Sequence, residues 1–227
     1  MIYQEYISRC VEKYRGQRNY VVRIGGLERR LPIKRVGENM WIASDAGVIL
    51  GDIEFGRRMA EEIVNRIGEI EVEGLLIPEA KAIGIAYLIA ERLDIGNIAI
   101  ARKNVKKYMD NPIIVESSSI TTGRQRLVLD EIGVERIRDK SILIFDDVIS
   151  TCSTMKSLIK IALKAGADIS LITTLWLEGP WPWRIFKEEI MYGKLVFLSY
   201  LPVFVSDMEY RRLLNEVEEL RVMYNDR

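Results

Sequence analysis

The stretch that most constrains the fold is residues 141–154, which read SILIFDDVISTCST. Its first apolar run, ILIF, is too short for a helix and rich in β-branched residues, which is typical of a buried strand. Two carboxylates, Asp146 and Asp147, follow, and five small residues at 150–154 then lead into a helical pattern that ends at Gly166. The sequence therefore predicts a strand, an acidic pair, a hydroxyl-rich turn and a helix.

This order of elements indicates a particular chemistry. A short turn entering a helix aims unpaired backbone N–H groups at one point, and the helix dipole adds positive potential, so the turn favours a phosphate. Hydroxyl groups can add hydrogen bonds, and the turn offers those of Ser150, Thr151, Ser153 and Thr154. The two carboxylates would repel that phosphate and instead suit vicinal hydroxyls or Mg²⁺. A 5-phosphorylated ribose satisfies both halves; the alternative is an ordinary strand–loop–helix with capping hydroxyls and solvated acids.

The same residues resemble the motif with which type I phosphoribosyltransferases bind phosphoribosyl pyrophosphate (PRPP). The resemblance implies that residues 150–154 bind the 5-phosphate, although Cys152 stands where the family usually has Gly. It also implies that Asp146 and Asp147 are catalytic, holding the ribose hydroxyls and also Mg²⁺, through water or PRPP. The apolar pair between the acids and the turn, Val148 and Ile149, would contact the base.

Composition narrows the classes of function. The 227 residues carry 33 basic and 33 acidic side chains, a balance that argues against nonspecific binding to nucleic acid or to a membrane surface. No signal peptide or membrane-spanning run is visible, and Cys10 and Cys152 make no disulfide framework, so we expect a cytoplasmic protein. The chain contains no His, which removes histidine general bases and most zinc sites.

The pattern along the chain predicts an α/β protein. Residues 2–15 have apolar residues at helical spacing, and residues 20–50 resemble a small antiparallel sheet. Strands and helices then alternate, which predicts a central parallel sheet flanked by helices, with ligand sites at the carboxyl ends of the strands. The resemblance makes this the type I phosphoribosyltransferase fold. We expect three parts: a helix and β lobe that selects the base (1–50), a core (51–205) and a C-terminal helix (206–227).

Residues 79–82, Glu79, Ala80, Lys81 and Ala82, lie between a predicted strand and a predicted helix, which is a second position for an anion. They resemble the pyrophosphate-binding loop of purine phosphoribosyltransferases, in which an often cis, non-proline peptide exposes backbone N–H groups to pyrophosphate. Lys81 would add positive charge to that loop. The alternative is a solvated lysine in the first turn of a helix.

Two further segments carry the resemblance. Arg102 and Lys103 follow a predicted strand, and related enzymes have an Arg-Lys pair there, which implies a catalytic role at the leaving pyrophosphate. Residues 117–124 correspond to a mobile hood that closes over PRPP and excludes water. Thr121 falls where adenine phosphoribosyltransferases carry a glutamate that assists the base, which weakens any assignment to adenine.

The resemblance implies a purine phosphoribosyltransferase that converts PRPP and a nucleobase into a nucleoside 5′-monophosphate and pyrophosphate. It further implies Mg²⁺ as cofactor and a homodimer, with no nucleic-acid or membrane partner. Two alternatives stay open. One is an orotate phosphoribosyltransferase, and the other is a regulatory protein that binds PRPP without turnover.

Overall fold

A computed structural model describes residues 2–119 and 123–225 of the protein. The helices in these ranges are α1 (Ile2–Arg9), α2 (Ala46–Gly51), α3 (Ile53–Ile67), α4 (Ala82–Arg92), α5 (Glu131–Ile137), α6 (Ser153–Ala165), α7 (Trp181–Ile185), α8 (Lys187–Met191) and α9 (Asp207–Asn225). The strands are β1 (Val11–Lys13), β2 (Asn19–Ile24), β3 (Leu27–Arg35), β4 (Met40–Ala43), β5 (Gly74–Pro78), β6 (Ile98–Ala101), β7 (Ile113–Ser119), β8 (Gly123–Leu129), β9 (Ser141–Ile149), β10 (Asp168–Glu178), β11 (Leu195–Leu201) and β12 (Val203–Val205).

The centre of the fold is a five-stranded sheet in the order β11-β10-β9-β5-β6, in which every neighbouring pair is parallel. Because all five strands run the same way, the loops that follow β5, β6, β9 and β10 meet at one edge of the sheet. The predicted α/β fold, with a parallel sheet flanked by helices, is confirmed. Strands β7 and β8 form a separate antiparallel hairpin.

A second sheet has the order β1-β12-β4-β3-β2. The pairs β2–β3, β3–β4 and β4–β12 are antiparallel, whereas β1 pairs with β12 in parallel. Strand β12 follows β11 after a single residue, so the chain passes directly from the central sheet into the second one. The second sheet is therefore joined to the edge of the parallel sheet at which β11 ends.

The core forms two layers, one on each face of the central sheet, because successive side chains of a strand point to opposite faces. Along β9, Ile142 and Ile144 pack with Leu158 and other residues of α6, whereas Leu143 and Phe145 pack with Met59 of α3 and its neighbours. All of these side chains are fully buried. Trp176 of β10 and Trp183 of α7 are also fully buried and belong to the core.

Two predicted boundaries were wrong. The first helix ends at Arg9 rather than near residue 15, because residues 11–13 pair with β12 instead of continuing the helix. Strand β9 does not stop at Phe145 but runs on through Ile149, since its last residues pair with β10 as far as Ile149 and Leu177. Within the described ranges, no helix is long and apolar enough to cross a membrane.

Candidate active site

A cavity of about 590 Å³ opens at the carboxyl ends of β5, β6 and β9. Its walls come from the loops after these strands and from the β7–β8 hairpin, and they carry charges of both signs. The charged lining residues are Glu79, Lys81, Lys103, Glu116, Arg126, Asp146 and Asp147. A smaller pocket of about 80 Å³ adjoins it and is lined by residues 150–154. Asp146, Val148 and Thr154 line both spaces, so Asp146 lies where the two meet, and Asp147 lines the larger one.

The acidic pair is buried in the last residues of β9. Asp146 and Asp147 are 7% and 4% exposed, and an Asp146 oxygen accepts a hydrogen bond of 2.9 Å from the backbone amide of Asp147. Burial, followed by the negative charge of Asp147, raises the pKa of Asp146 well above its usual value. The strand holds these carboxylates out of bulk water, where they interact strongly with any cation or hydroxyl that enters the cavity.

Lys81 faces the acidic pair from the loop after β5. Its ammonium nitrogen lies 2.5 Å from Oδ2 of Asp147, and 2.9 and 3.0 Å from the two carboxylate oxygens of Asp45. Burial lowers the pKa of Lys81, but its contacts with Asp147 and Asp45 outweigh that effect and raise the pKa overall. Lys81 is therefore a charged member of the site, held by two carboxylates from different parts of the chain.

The loop of residues 79–82 is tied to the loop after β6. The Glu79–Ala80 peptide is cis, as the resemblance to a pyrophosphate loop implied. The Glu79 carboxylate lies 3.4 Å from Nε of Arg102 and accepts a hydrogen bond of 2.8 Å from the backbone amide of Lys103. Of the predicted Arg-Lys pair, Lys103 lines the cavity, whereas the Arg102 guanidinium contacts Glu79 and the hydroxyl of Tyr108.

The turn after β9 contains the unusual Cys152. Its backbone has φ 66° and ψ 2°, the left-handed conformation that glycine adopts without a steric cost. Ser153 then begins α6, which ends at Ala165 and is capped by Gly166, as predicted. Cys152 therefore takes the backbone conformation that the missing glycine would take, and the backbone still turns into the helix. Its thiol is buried, which raises the pKa of Cys152 to about 12.

Among known proteins, no family model matches the sequence. The hypoxanthine/guanine phosphoribosyltransferase of Methanothermococcus okinawensis is 34% identical over 133 residues, which span 59% of this chain and 68% of that protein. The chain belongs to the purine phosphoribosyltransferase family. The xanthine phosphoribosyltransferase of Clostridium tetani is 29% identical over 149 residues, or 65% of this chain and 73% of that protein.

A solved structure supports the fold of this phosphoribosyltransferase. The adenine phosphoribosyltransferase of Rhodothermus marinus superposes with a TM-score of 0.57 at 19% identity, covering 81% of this chain and 94% of that one. At this identity the likeness establishes the fold. The relatives named here act on different purines according to their names, so membership of the family leaves the base open.

Sequence reasoning missed two buried acids close to the candidate site. Asp45 reaches Lys81 from the segment between β4 and α2, and no local pattern distinguishes it from an ordinary helix-capping residue. Glu178 is the last residue of β10 and is only 6% exposed. Burial raises the pKa of Glu178 to about 7, and a hydrogen bond with Ser150 opposes part of that rise. For Glu178, the one available sequence signal was its position as an acid at the carboxyl end of an apolar strand.

Four of the other residues predicted for the site line one of the two spaces. Ala80 and Ala82 line the larger cavity, and Ile149 and Thr151 line the smaller pocket. Thr121 lies outside the described residues. The described part of the hairpin contributes Glu116, Arg126 and Leu127 to the cavity wall, and β8 lies beside the loop that carries Lys103, since Arg102 and Val128 form an antiparallel bridge.

Proposed function

We propose that this protein is an enzyme that transfers the 5-phosphoribosyl group of PRPP to a purine base, giving a nucleoside 5′-monophosphate and pyrophosphate. The observation that carries the proposal is the division of the site into three chemical parts. A small pocket at the start of α6, a buried acidic pair and a cationic wall follow one another around connected spaces. These three parts suit, in that order, a phosphate, a ribose and a pyrophosphate.

The 5-phosphate is assigned to the smaller pocket. Residues 150–154 line it, and it lies at the amino-terminal end of α6. The positive end of the helix dipole favours an anion at this point. The left-handed backbone of Cys152 supports this assignment, because it turns the chain into the helix as glycine would.

The ribose is assigned to Asp146 and Asp147. Their carboxylates can accept hydrogen bonds from the 2- and 3-hydroxyls; both line the larger cavity, and Asp146 also lines the smaller pocket. When the bond to pyrophosphate breaks, positive charge develops on the ribose ring, and fixed negative charges nearby stabilise it. Such a reaction needs no strong nucleophile from the protein, which is compatible with a sequence that contains no His.

The pyrophosphate is assigned to the wall formed by residues 79–82 and by Lys103. Backbone groups of the loop, together with Lys81 and Lys103, supply hydrogen bonds and positive charge to the leaving group. Arg102 acts on this wall from outside, since it pairs with Glu79 and so helps to fix the loop. The β7–β8 hairpin would cover the reacting groups.

The residues present also fit Mg²⁺. Within the described ranges no group of three or more acidic or thiol side chains forms a metal cage, but Mg²⁺ in phosphate sites needs only one or two carboxylates besides phosphates and water. Asp146 and Asp147 are the carboxylates that would hold it. When bound, the cation neutralises part of the charge of the pyrophosphate group.

The base would contact Val148 and Ile149, and the N-terminal lobe, residues 1–50, would select it. We propose a homodimer acting in the cytoplasm. Chromatography of the products formed from PRPP, Mg²⁺ and each of adenine, hypoxanthine, guanine, xanthine and orotate tests the proposal. One purine mononucleotide is the expected product. Orotidylate would indicate the orotate enzyme, and binding of PRPP without any product would indicate a regulatory protein.

A further inference from the structure

Asp45 contacts the candidate site although it belongs to the N-terminal lobe. It precedes α2 and is only 7% exposed, and both of its carboxylate oxygens lie within 3.0 Å of the Lys81 nitrogen. The same nitrogen lies 2.5 Å from Oδ2 of Asp147. One ammonium group therefore joins the lobe, the loop after β5 and the end of β9.

The ammonium group of Lys81 is already in contact with carboxylates, which affects how an anion can bind to it. An ammonium group has three N–H donors and no acceptor. Three carboxylate oxygens, two from Asp45 and one from Asp147, already surround it at hydrogen-bond distance. An anion in the cavity must therefore compete with these carboxylates for the ammonium group of Lys81. Asp45 accepts two hydrogen bonds from the ammonium group, whereas Asp147 makes one ion-pair contact with it.

The negative charges around Lys81 also weaken its attraction for an incoming anion. Glu178 adds a further carboxyl group to the field that Asp45, Asp147 and Lys81 share. Because the cluster is mostly buried, water screens these charges weakly. The positive charge of Lys81 is thus largely compensated before a ligand enters.

We propose that Asp45 is a positioning residue that restrains Lys81 beside Asp147 and thereby weakens the binding of pyrophosphate. The inference rests on the proposed function, in which Lys81 contacts that group. Restraint of this kind would favour release of the product, because pyrophosphate competes with Asp45 for the ammonium group. It also links the N-terminal lobe to the pyrophosphate end of the site.

The substitution Asp45→Asn tests this directly. The amide keeps the shape of the side chain and one acceptor oxygen, but it removes the charge and leaves one N–H of Lys81 available. We expect pyrophosphate to bind about three- to tenfold more tightly, as for one added charge-assisted hydrogen bond. Damage to the site would weaken binding, so tighter binding cannot come from misfolding.

The measurement is isothermal titration calorimetry of the full-length protein with sodium pyrophosphate. Asp52→Asn is the matched control, because Asp52 is another aspartate of the N-terminal half that pairs with a cation, Arg29, and caps α3. It should bind pyrophosphate as the wild type does. In a Lys81→Met background, Asp45→Asn should give no further gain, since the ammonium group is absent.

The inference would be overturned by unchanged or weaker pyrophosphate binding in Asp45→Asn, or by a full gain that persists in Lys81→Met. Failure of the proposed function looks different. There the wild type itself would form no nucleotide and would bind neither PRPP nor pyrophosphate. A wild type that forms nucleotide and binds pyrophosphate, with no tightening in Asp45→Asn, overturns the inference alone.

Discussion

Glu79 joins the two loops that carry the cations of the site, because its carboxylate accepts a hydrogen bond of 2.8 Å from the backbone amide of Lys103. The same carboxylate pairs with Arg102 at 3.4 Å. Glu79 is itself fixed by its backbone amide, which donates to the carbonyl of Ala101 at 2.8 Å. An acid in the proposed anion site therefore has a structural reason: it positions the backbone and the lysine that face the cavity.

Glu79→Ala should lower the affinity for PRPP by about tenfold, since hydrogen bonds to charged groups contribute roughly 1.5–3 kcal/mol and Glu79 is partly exposed. Glu79→Gln keeps an oxygen that accepts from Lys103, so its effect should stay within about threefold. The Michaelis constants for PRPP of the three proteins check this. Equal losses in the two variants would contradict the role given to the Lys103 hydrogen bond.

Replacing Cys152 by Gly and by Ala should separate the backbone cost from the packing of the thiol. Both variants remove the buried sulfur, but only Gly also removes the β-carbon from a left-handed backbone. We expect Cys152→Gly to be more stable than Cys152→Ala by about 1 kcal/mol. Urea denaturation of the two variants measures the difference. An alanine variant as stable as the glycine variant would show that the left-handed conformation at Cys152 is wrong.

The two thiols should be unreactive in the folded protein. Burial raises the pKa of both Cys10 and Cys152 to about 12, and the thiolate is the reactive form. At neutral pH almost none is present, so a thiol reagent such as dithionitrobenzoate should label the native protein far more slowly than the unfolded protein. Rapid labelling of one thiol in the native protein, lost in Cys152→Ala, would contradict this burial.

Glu178 should make stability fall as pH rises. Burial raises its pKa from 4.5 to about 7, so between these values the folded protein keeps a proton that the unfolded chain has lost. The folded state therefore loses stability as pH rises through this window. Glu178→Gln has no ionisable group at this position and so lacks this pH-dependent loss of stability. The free energy of unfolding of the variant, relative to that of the wild type, should therefore rise by roughly 1–3 kcal/mol from acidic to mildly alkaline pH. Parallel pH profiles of urea denaturation would contradict the raised pKa.

The order of elements around β9 was predictable because each part has a local cause. The apolar run predicts the strand, the small residues predict the turn, and Gly166 predicts the end of α6. The extension of β9 through Ile149 was not predictable in this way, because it depends on pairing with β10. The strand at residues 11–13 was missed for a similar reason, since its partner β12 lies almost two hundred residues further along the chain.

The candidate site likewise contains some residues that the sequence predicted and others that it did not. Lys81 and Asp147 stand next to recognisable strand ends, and the sequence placed both at the site. Asp45 and Glu178 come from other parts of the chain and gain their importance only from contacts with Lys81 and Ser150. Burial, which changes the pKa of both acids, is also a property of the whole fold rather than of any local pattern.

The most direct test of the proposed enzyme is the rate of pyrophosphate release from PRPP and Mg²⁺ with the purine that the product screen identifies. The wild type should turn over, whereas Asp146→Asn and Asp147→Asn should each lose about a hundredfold or more, because they remove charge from beside the ribose. Asp52→Asn should retain the wild-type rate. No release by the wild type with any base, despite measurable binding of PRPP, would contradict catalysis and leave a PRPP-binding regulatory protein.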